Sequence, residues 1–310
     1  MKPYVIAIGS TAVDEYYECS SWPAQGDKVF VRFIGKKLGG MISNAACVMG
    51  NYGIPVYLLD VLGGDENTRM ILSELEGFGV KTELIETRQT LRNTKAMIFL
   101  CGGERSILII ENSKPYKPPT ESQIRVMNAA RYLYSSINDF KTLPGHENWM
   151  DPNRPDSSPL LVFDVEPNSF IDSKADINYF LAADYLLFNE AGFRKWQGKE
   201  RLDATVKRLF TGRSRSIVIT LAEKGCRLIT RASDRIFPGV SVTAVDTTGA
   251  GDTFNATWIT ALLKGMTEED ACRLANGAAA RSTLALGARS GAVPWDTVTE
   301  FAASHKKTPS

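Results

Sequence analysis

The densest chemical signal in the chain is the run Asp246-Thr-Thr-Gly-Ala-Gly-Asp-Thr-Phe-Asn-Ala256. A strand-like stretch ends there, the small residues Gly249, Ala250 and Gly251 follow, and an apolar helical pattern begins. Glycines at such a junction let backbone N–H groups converge on a helix N-terminus, where unpaired donors and the helix dipole favour an anion such as a phosphate. Asp252 stands inside that anion hole. A carboxylate in this position can cap the helix; beside a bound phosphate it can also take the proton of an incoming hydroxyl. The two better-known phosphate loops are absent from the sequence, with no G-x-x-x-x-G-K-[ST] run and no G-x-G-x-x-G after the first strand-like run.

A second group lies near the N-terminus. In Gly39-Gly40-Met41-Ile42-Ser43-Asn44-Ala45-Ala46 the two glycines permit close approach of backbone to a ligand. Asn44, at a helix start, offers both a donor and an acceptor to hydroxyls, or caps the helix. Upstream, Gly9-Ser10-Thr11-Ala12-Val13-Asp14 closes the first strand-like run with an acid, and a carboxylate accepts hydrogen bonds from vicinal hydroxyls.

Taken in order, these runs resemble the ribokinase-like family of carbohydrate kinases, the PfkB family. Its C-terminal signature D-T-x-G-A-G-D-x-F is matched from Asp246 to Phe254, and its G-G-x-x-x-N-x-A from Gly39 to Ala46. The resemblance implies Asp252 as catalytic base, an anion hole of Gly249, Ala250, Gly251 and Asp252, and a sugar site of Asp14, Gly39, Gly40 and Asn44. Ile217 to Cys226 is similar to the family's V-T-L-G-x-x-G, which places Thr220, Glu223 and Gly225 beside the nucleotide, with Ala222 standing at the usual Gly. Asn276 matches an adenine-side Asn. Asp246 and Thr248, with the stretch from Gly287-Ala288, match a loop that closes around a monovalent cation, K+, in many relatives. The resemblance runs from residue 4 to about 302, and implies ATP and Mg2+ as cofactors and a homodimer formed through a lid.

The chain also departs from the family. Asn189 begins the family's N-x-x-E, whose Glu helps to hold Mg2+ through water, but the fourth position is Gly192. Glu190 is expected to reach the same water shell in its place. Met41 stands where many relatives carry Lys, which points to an unphosphorylated acceptor, since a phosphate would call for cations. Asp164 and Glu166 fall where a strand end faces the crevice of a wound sheet, a further candidate substrate position.

Positioning these residues requires strands that end at one edge. Short apolar runs at Tyr4–Ile8, Val56–Asp60, Arg131–Ser135, Leu160–Asp164, Tyr185–Phe188 and Ser216–Thr220 alternate with helical stretches at Ser43–Asn51, Asp65–Glu76, Thr120–Ala130, Lys174–Leu181, Arg201–Phe210, Gly251–Leu263 and Thr267–Leu286. This is the pattern of βαβ units, so the fold class is α/β: a wound, mainly parallel sheet flanked by helices. Two stretches, about 14–34 and 92–110, break the alternation with hairpin-like runs that must meet as one small β-sheet lid on a single domain of residues 1–310. Leu143 to Pro159, rich in proline, reads as a loop longer than the family's.

Composition narrows the function. With 36 Lys plus Arg against 35 Asp plus Glu, the chain lacks the basic footprint of a nucleic-acid binder or a polybasic membrane-surface protein. No apolar run approaches a membrane span. Five dispersed cysteines without a C-x-x-C pair, and two histidines, suggest neither disulfides nor zinc and point to a reducing cytoplasm. The expected function is ATP-dependent phosphorylation of a hydroxyl on a small sugar or sugar acid, the alternatives being a nucleoside kinase on the same fold and a sugar-binding regulator without turnover.

Overall fold

In a computed structural model of the chain, the structure describes residues 2–102, 104–110, 116–172 and 174–305. The chain begins with β1 (Val5–Ile8), β2 (Ala12–Cys19), β3 (Val31–Gly39), α1 (Met41–Asn51), β4 (Val56–Gly63) and α2 (Thr68–Gly77). There follow β5 (Val80–Lys81), β6 (Ile85–Arg88), β7 (Thr94–Cys101), β8 (Glu104–Ile110), α3 (Glu121–Asn128), β9 (Tyr132–Ser136) and α4 (Ile137–Thr142). The central part holds β10 (Leu160–Val165), α5 (Ile177–Ala182), β11 (Tyr185–Asn189), α6 (Glu190–Gln197), α7 (Leu202–Leu209) and β12 (Ser216–Thr220). It closes with β13 (Cys226–Thr230), β14 (Asp234–Phe237), α8 (Ala250–Leu263), α9 (Glu268–Ser282) and α10 (Trp295–Ser304).

The large sheet runs β14-β13-β12-β11-β10-β9-β1-β4-β5, with β6 beside the end of β4. From β12 to β5 every pairing is parallel, and β13 and β14 continue antiparallel at one edge. Sandwiched strands need apolar side chains on both faces, which is why β1 (Val-Ile-Ala-Ile) and β10 (Leu-Leu-Val-Phe-Asp-Val) are wholly buried and near-continuously hydrophobic. Two cores result. On one face α1, α8, α9 and α10 pack through Ile42, Phe254, Trp258, Ala275 and Val298. On the other, α3 to α7 pack through Met127, Phe140, Phe180, Trp196 and Leu209. The six expected strands all form, and the α/β class with a large mixed, mainly parallel sheet and a smaller β-sheet holds.

The small sheet has the order β3-β2-β7-β8. Each expected hairpin pairs antiparallel within itself, and the two are joined by parallel pairing of β2 with β7. The sequence expectation ended the first hairpin strand near residue 34; β3 instead starts at Val31 and continues to Gly39, opposite Ala12, because Leu38 and Gly39 are buried where the small sheet meets α1. Helix α9 stops at Ser282 rather than near 286, because the Thr283 carbonyl is taken by the amides of Val245 and Asp246. Residues 143–159 are not a plain loop: a 3-10 turn at His146–Trp149 buries Trp149, and the Arg154 guanidinium is buried against Asp184 at the start of β11. Helices α4, α6 and α10 were not expected from the sequence.

Candidate active site

The parallel strands end along one edge, where wound α/β sheets place their crevice. Into that edge point the first turn of α8, the first turn of α1 and the start of β2. Gly249 caps α8 with φ 77°, and a Cβ there would stand 1.9 Å from the Ala288 carbonyl oxygen, so only glycine allows the chain to turn into the helix. Among the described residues the amides of Gly251 and Asp252 in the first turn have no acceptor. They are the helix-end donors that an anion can satisfy.

Asp252 stands half-buried in that first turn. Asn44 Nδ2, from the first turn of α1, donates to Asp252 Oδ2 at 2.8 Å. The Asn44 Oδ1 accepts from Arg289 Nε at 3.1 Å, and Arg289 Nη1 donates to Glu74 Oε1 at 2.9 Å. Because a guanidinium only donates, this contact fixes which end of the Asn44 amide faces Asp252. Asp14, on β2, lies over Gly39 so closely that a Cβ at Gly39 would be 2.3 Å from Asp14 Oδ2. The structure thus brings Asp14, Gly39, Gly40, Asn44 and Asp252 together from segments more than 200 residues apart in sequence.

Burial dominates the electrostatics. Asp252 is pushed well above the ordinary carboxylate range by burial and then by the charge of Asp164, with the Asn44 amide and Arg289 pulling the other way and Glu166 adding to the rise. Asp164 is itself pushed up to about 7 by burial and the charge of Glu166, against a 2.7 Å hydrogen bond from the Tyr134 hydroxyl. Asp14 rises to about 6 through burial, opposed by Arg289. A carboxylate raised in this way is a stronger base than one in water.

The positions matched to the nucleotide lie on β11, β12, the turn after β12 and α9. Asn189 and Thr220 end the adjacent strands β11 and β12 in register, and Thr220 Oγ1 donates weakly to the Phe188 carbonyl at 3.4 Å. Glu223 sits in a 3-10 turn, Ala222–Lys224, and Gly225 follows it. Asn276, from α9, spends its amide on the carbonyls of Phe237 and Pro238 at 3.0 and 3.1 Å, which pins the end of β14.

Residues 2–296 match the pfkB family carbohydrate kinases. The chain belongs to that family. It is 26% identical to a ribokinase of Bacillus subtilis over 297 residues, covering 93% of this chain and 95% of the other. It is 24% identical to a probable fructokinase of Arabidopsis thaliana over 275 residues, covering 84% and 83%. Among solved structures it is similar to the ribokinase of Arabidopsis thaliana complexed with ribose and ATP, with a TM-score of 0.84 at 22% identity over 97% of this chain and 99% of that one. The nucleoside kinase of Methanocaldococcus jannaschii has a TM-score of 0.82 at 18% identity, covering 98% and 99%. The chain is therefore an enzyme of the kinase class on a ribokinase-like fold.

Against this family the departures acquire geometry. Ala222, at the usual Gly, keeps φ at 53°, the left-handed conformation the Gly would adopt freely. Gly192 cannot carry the family Glu in this chain, because a Cβ there would meet the Val165 carbonyl oxygen at 2.2 Å. Glu190 does not replace it: its carboxylate turns along α6 and pairs with Arg194 at 2.6 Å, as i, i+4 neighbours on a helix do. The carboxylate that does stand beside Asn189 is Glu166, at the end of β10, raised by burial and partly relieved by a hydrogen bond from Asn189. Sequence reasoning gave Glu166 and Asp164 only a secondary place, and it missed Arg289, Glu74 and Tyr134. A lone Arg in the small-residue stretch Gly287 to Ala292 was the available signal for the first of these.

The pKa of Asp164 generates a stability test. Between pH 4 and pH 7 the folded chain holds a proton on Asp164 that the unfolded chain releases, so this group costs stability as pH rises through that window and the cost is complete above it. Asp164→Asn keeps an acceptor for Tyr134 and removes the titration. Its stability relative to wild type is expected to climb between pH 4 and pH 7, by on the order of 4 kcal/mol at full ionisation, and then to level off, seen as a melting temperature that rises relative to wild type over the same window. A difference independent of pH rejects the assignment.

Proposed function

We propose that this kinase transfers the γ-phosphoryl group of ATP to a hydroxyl of a small sugar or sugar acid. What carries the reading is one observation: a half-buried carboxylate, Asp252, in the first turn of a helix whose free amides can hold an oxyanion, hydrogen-bonded to Asn44. Asp252 takes the hydroxyl proton as the oxygen attacks the γ-phosphorus, the bond from that phosphorus to the bridging oxygen breaks, and ADP leaves. The free amides of Gly251 and Asp252 hold the charge on the transferred group, whereas the Ala250 amide, expected to join them, is spent on the Thr247 carbonyl at 3.3 Å. Asp14 and Asn44 bind neighbouring hydroxyls, and Thr220, Glu223, Gly225 and Asn276 border the nucleotide. A regulator without turnover has no use for a base in an anion hole. A nucleoside offers Asp14 and Asn44 the same ribose hydroxyls, so nucleosides belong in the acceptor screen.

Mg2+, bound with ATP, supplies charge compensation on the β and γ phosphates. The donor set fits it once Glu166 is read in place of Glu190. Glu166 has no ion-pair partner among the described residues, and with Asn189 it would hold the ion's waters. The four-stranded sheet acts as the lid, built from about 14–34 and 92–110 with strand ends running slightly beyond, on a single domain. Its closure excludes water, which competes as acceptor. The lid also joins two copies of the chain. Its edge strand β8 exposes Ile107, Leu108, Ile109 and Ile110 in succession, with Ile109 69% exposed, and on the opposite edge β3 exposes Val31, Phe33 and Ile34. An unpaired, flat, apolar edge left to water is avoided in natural sheets, and a second copy of the same chain satisfies both edges.

Three measurements test this reading. In an ADP-release screen over pentoses, hexoses, sugar acids and nucleosides, Asp252→Asn is expected to cut kcat by at least about 100-fold with little change in ATP affinity, and Asp14→Ala to raise the acceptor KM; near-normal turnover in the first variant removes the base from Asp252. Glu166→Gln is expected to raise the half-saturating Mg2+ concentration for both turnover and ADP binding, whereas Glu190→Gln leaves it where it was. By analytical ultracentrifugation, wild type is expected to sediment as a dimer and Ile109→Glu as a monomer; a monomeric wild type at micromolar concentration refutes the lid interface.

A further inference from the structure

The loop matched to a monovalent-cation site has two halves, Asp246 to Thr248 and the stretch from Gly287, and the protein holds them together itself. Asp246 Oδ1 accepts from the Thr248 amide at 2.9 Å and from the Thr248 hydroxyl at 2.7 Å, and Asp246 Oδ2 accepts from the Gly287 amide at 2.9 Å. Burial would raise this carboxylate, but those hydrogen bonds and the charge of Arg105 outweigh it and keep Asp246 ionised.

Two cations of the small sheet lie against the two halves. Arg105, on β8, reaches across from the lid and places Nη1 2.6 Å from Thr248 Oγ1. Lys37, on β3, is the register partner of Asp14 and therefore points to the same face of the sheet. Its Nζ lies 3.2 Å from where a Cβ of Gly287 would be, and 5.7 Å from the centre of the Tyr16 ring. Among the described residues neither Lys37 nor Arg105 has a carboxylate within ion-pair distance. Their positive charge is directed at the loop rather than spent on a surface pair.

A bare cation seated against Thr248 would share the hydroxyl with a guanidinium, and like charges at that separation repel. The residues present therefore do not fit a resident K+. We propose that Arg105, seconded by Lys37, takes the part of the monovalent cation in this kinase, so that the loop leading into the anion hole is ordered by the lid itself. The consequence is a coupling that a diffusible ion cannot provide. K+ would order residues 246–251 whether the lid is open or closed, whereas Arg105 does so only when β8 lies over Thr248. The amides of Gly251 and Asp252 are then aimed at a phosphoryl group only under a closed lid. Arg105 is a positioning residue, acting through Thr248 and Asp246.

The inference is separable from the proposed reaction, because the site can be read by nucleotide binding without any acceptor. The dissociation constant of Mg·ADP is measured by calorimetry in KCl, NaCl and tetramethylammonium chloride at equal ionic strength, for wild type, Arg105→Met, Arg105→Lys and Lys37→Met. Wild type is expected to be flat across the three salts. Arg105→Met is expected to bind ADP about fivefold or more tighter in KCl than in tetramethylammonium chloride, the low end of ordinary coupling between sites. Arg105→Lys, which keeps the charge, is expected to restore the flat profile, and Lys37→Met to respond to K+ less than Arg105→Met does. Once an acceptor is in hand, kcat follows the same pattern. A wild type that binds ADP severalfold tighter in K+ overturns the proposal, since the loop then takes a metal ion. An Arg105→Met that is indifferent to the cation overturns it too, since Arg105 is then only a surface contact. Failure of every acceptor in the screen would count against the kinase reading and leave this result standing.

Discussion

Partly burying a carboxylate at a helix N-terminus that also has unpaired amides sets the terms for the rest of this molecule. Asp252 loses part of its water and gains a negative neighbour in Asp164, both of which push it toward the neutral acid. The helix dipole, the Asn44 amide and Arg289 push the other way. The protonation of Asp252 is the balance of these terms, and each comes from a different part of the chain: α8, β10, α1 and the segment after α9. The two helix layers and the parallel sheet are what bring those parts within hydrogen-bond distance and hold them there.

The same balance explains why the acceptor side is so tightly built. Gly39 lets Asp14 approach the backbone at a distance no side chain would allow, and Gly249 lets α8 begin hard against Ala288. Both glycines are needed for close approach, and each places a carboxylate beside a backbone turn. Arg289 then links Asn44 to Glu74 on α2, so the orientation of one amide in the site depends on a helix at the periphery of the fold. A polar network of this kind is costly when partly satisfied and rigid when complete.

The departures from the family are coherent when read against the backbone. Gly192 has no room for a side chain, because the Val165 carbonyl at the end of β10 occupies the space its Cβ would need. The residue that follows Val165 in that strand is Glu166, and its carboxylate emerges beside Asn189. At the loop from Asp246 to Gly287 a guanidinium from β8 lies against Thr248. In each case the fold brings a charged group from a distant point of the sequence alongside a motif residue.

Much of this was legible in the sequence. Near-continuous apolar runs such as Val5-Ile-Ala-Ile8 and Leu160-Leu-Val-Phe163 can only be strands buried on both faces, and helix-length spacers between them force parallel pairing. The run from Asp246 to Ala256 carries its own chemistry, since glycines before an apolar helix make an anion site wherever they occur. Short helices such as α4 and α6 were not legible, because six or eight residues give too little periodicity to separate from a loop. Nor were the directions of side chains. Glu190 and Glu166 are equally good carboxylates in sequence, and only the fold directs Glu190 along α6 to Arg194 and Glu166 to Asn189. Arg105, Lys37 and Arg289 lie on strands and loops whose partners are more than 100 residues away in sequence. The sequence by itself determined which elements form and which residues can do chemistry, because those follow from local pattern and residue type. The tertiary structure decided which of them meet, because burial and close approach are set by how distant segments pack.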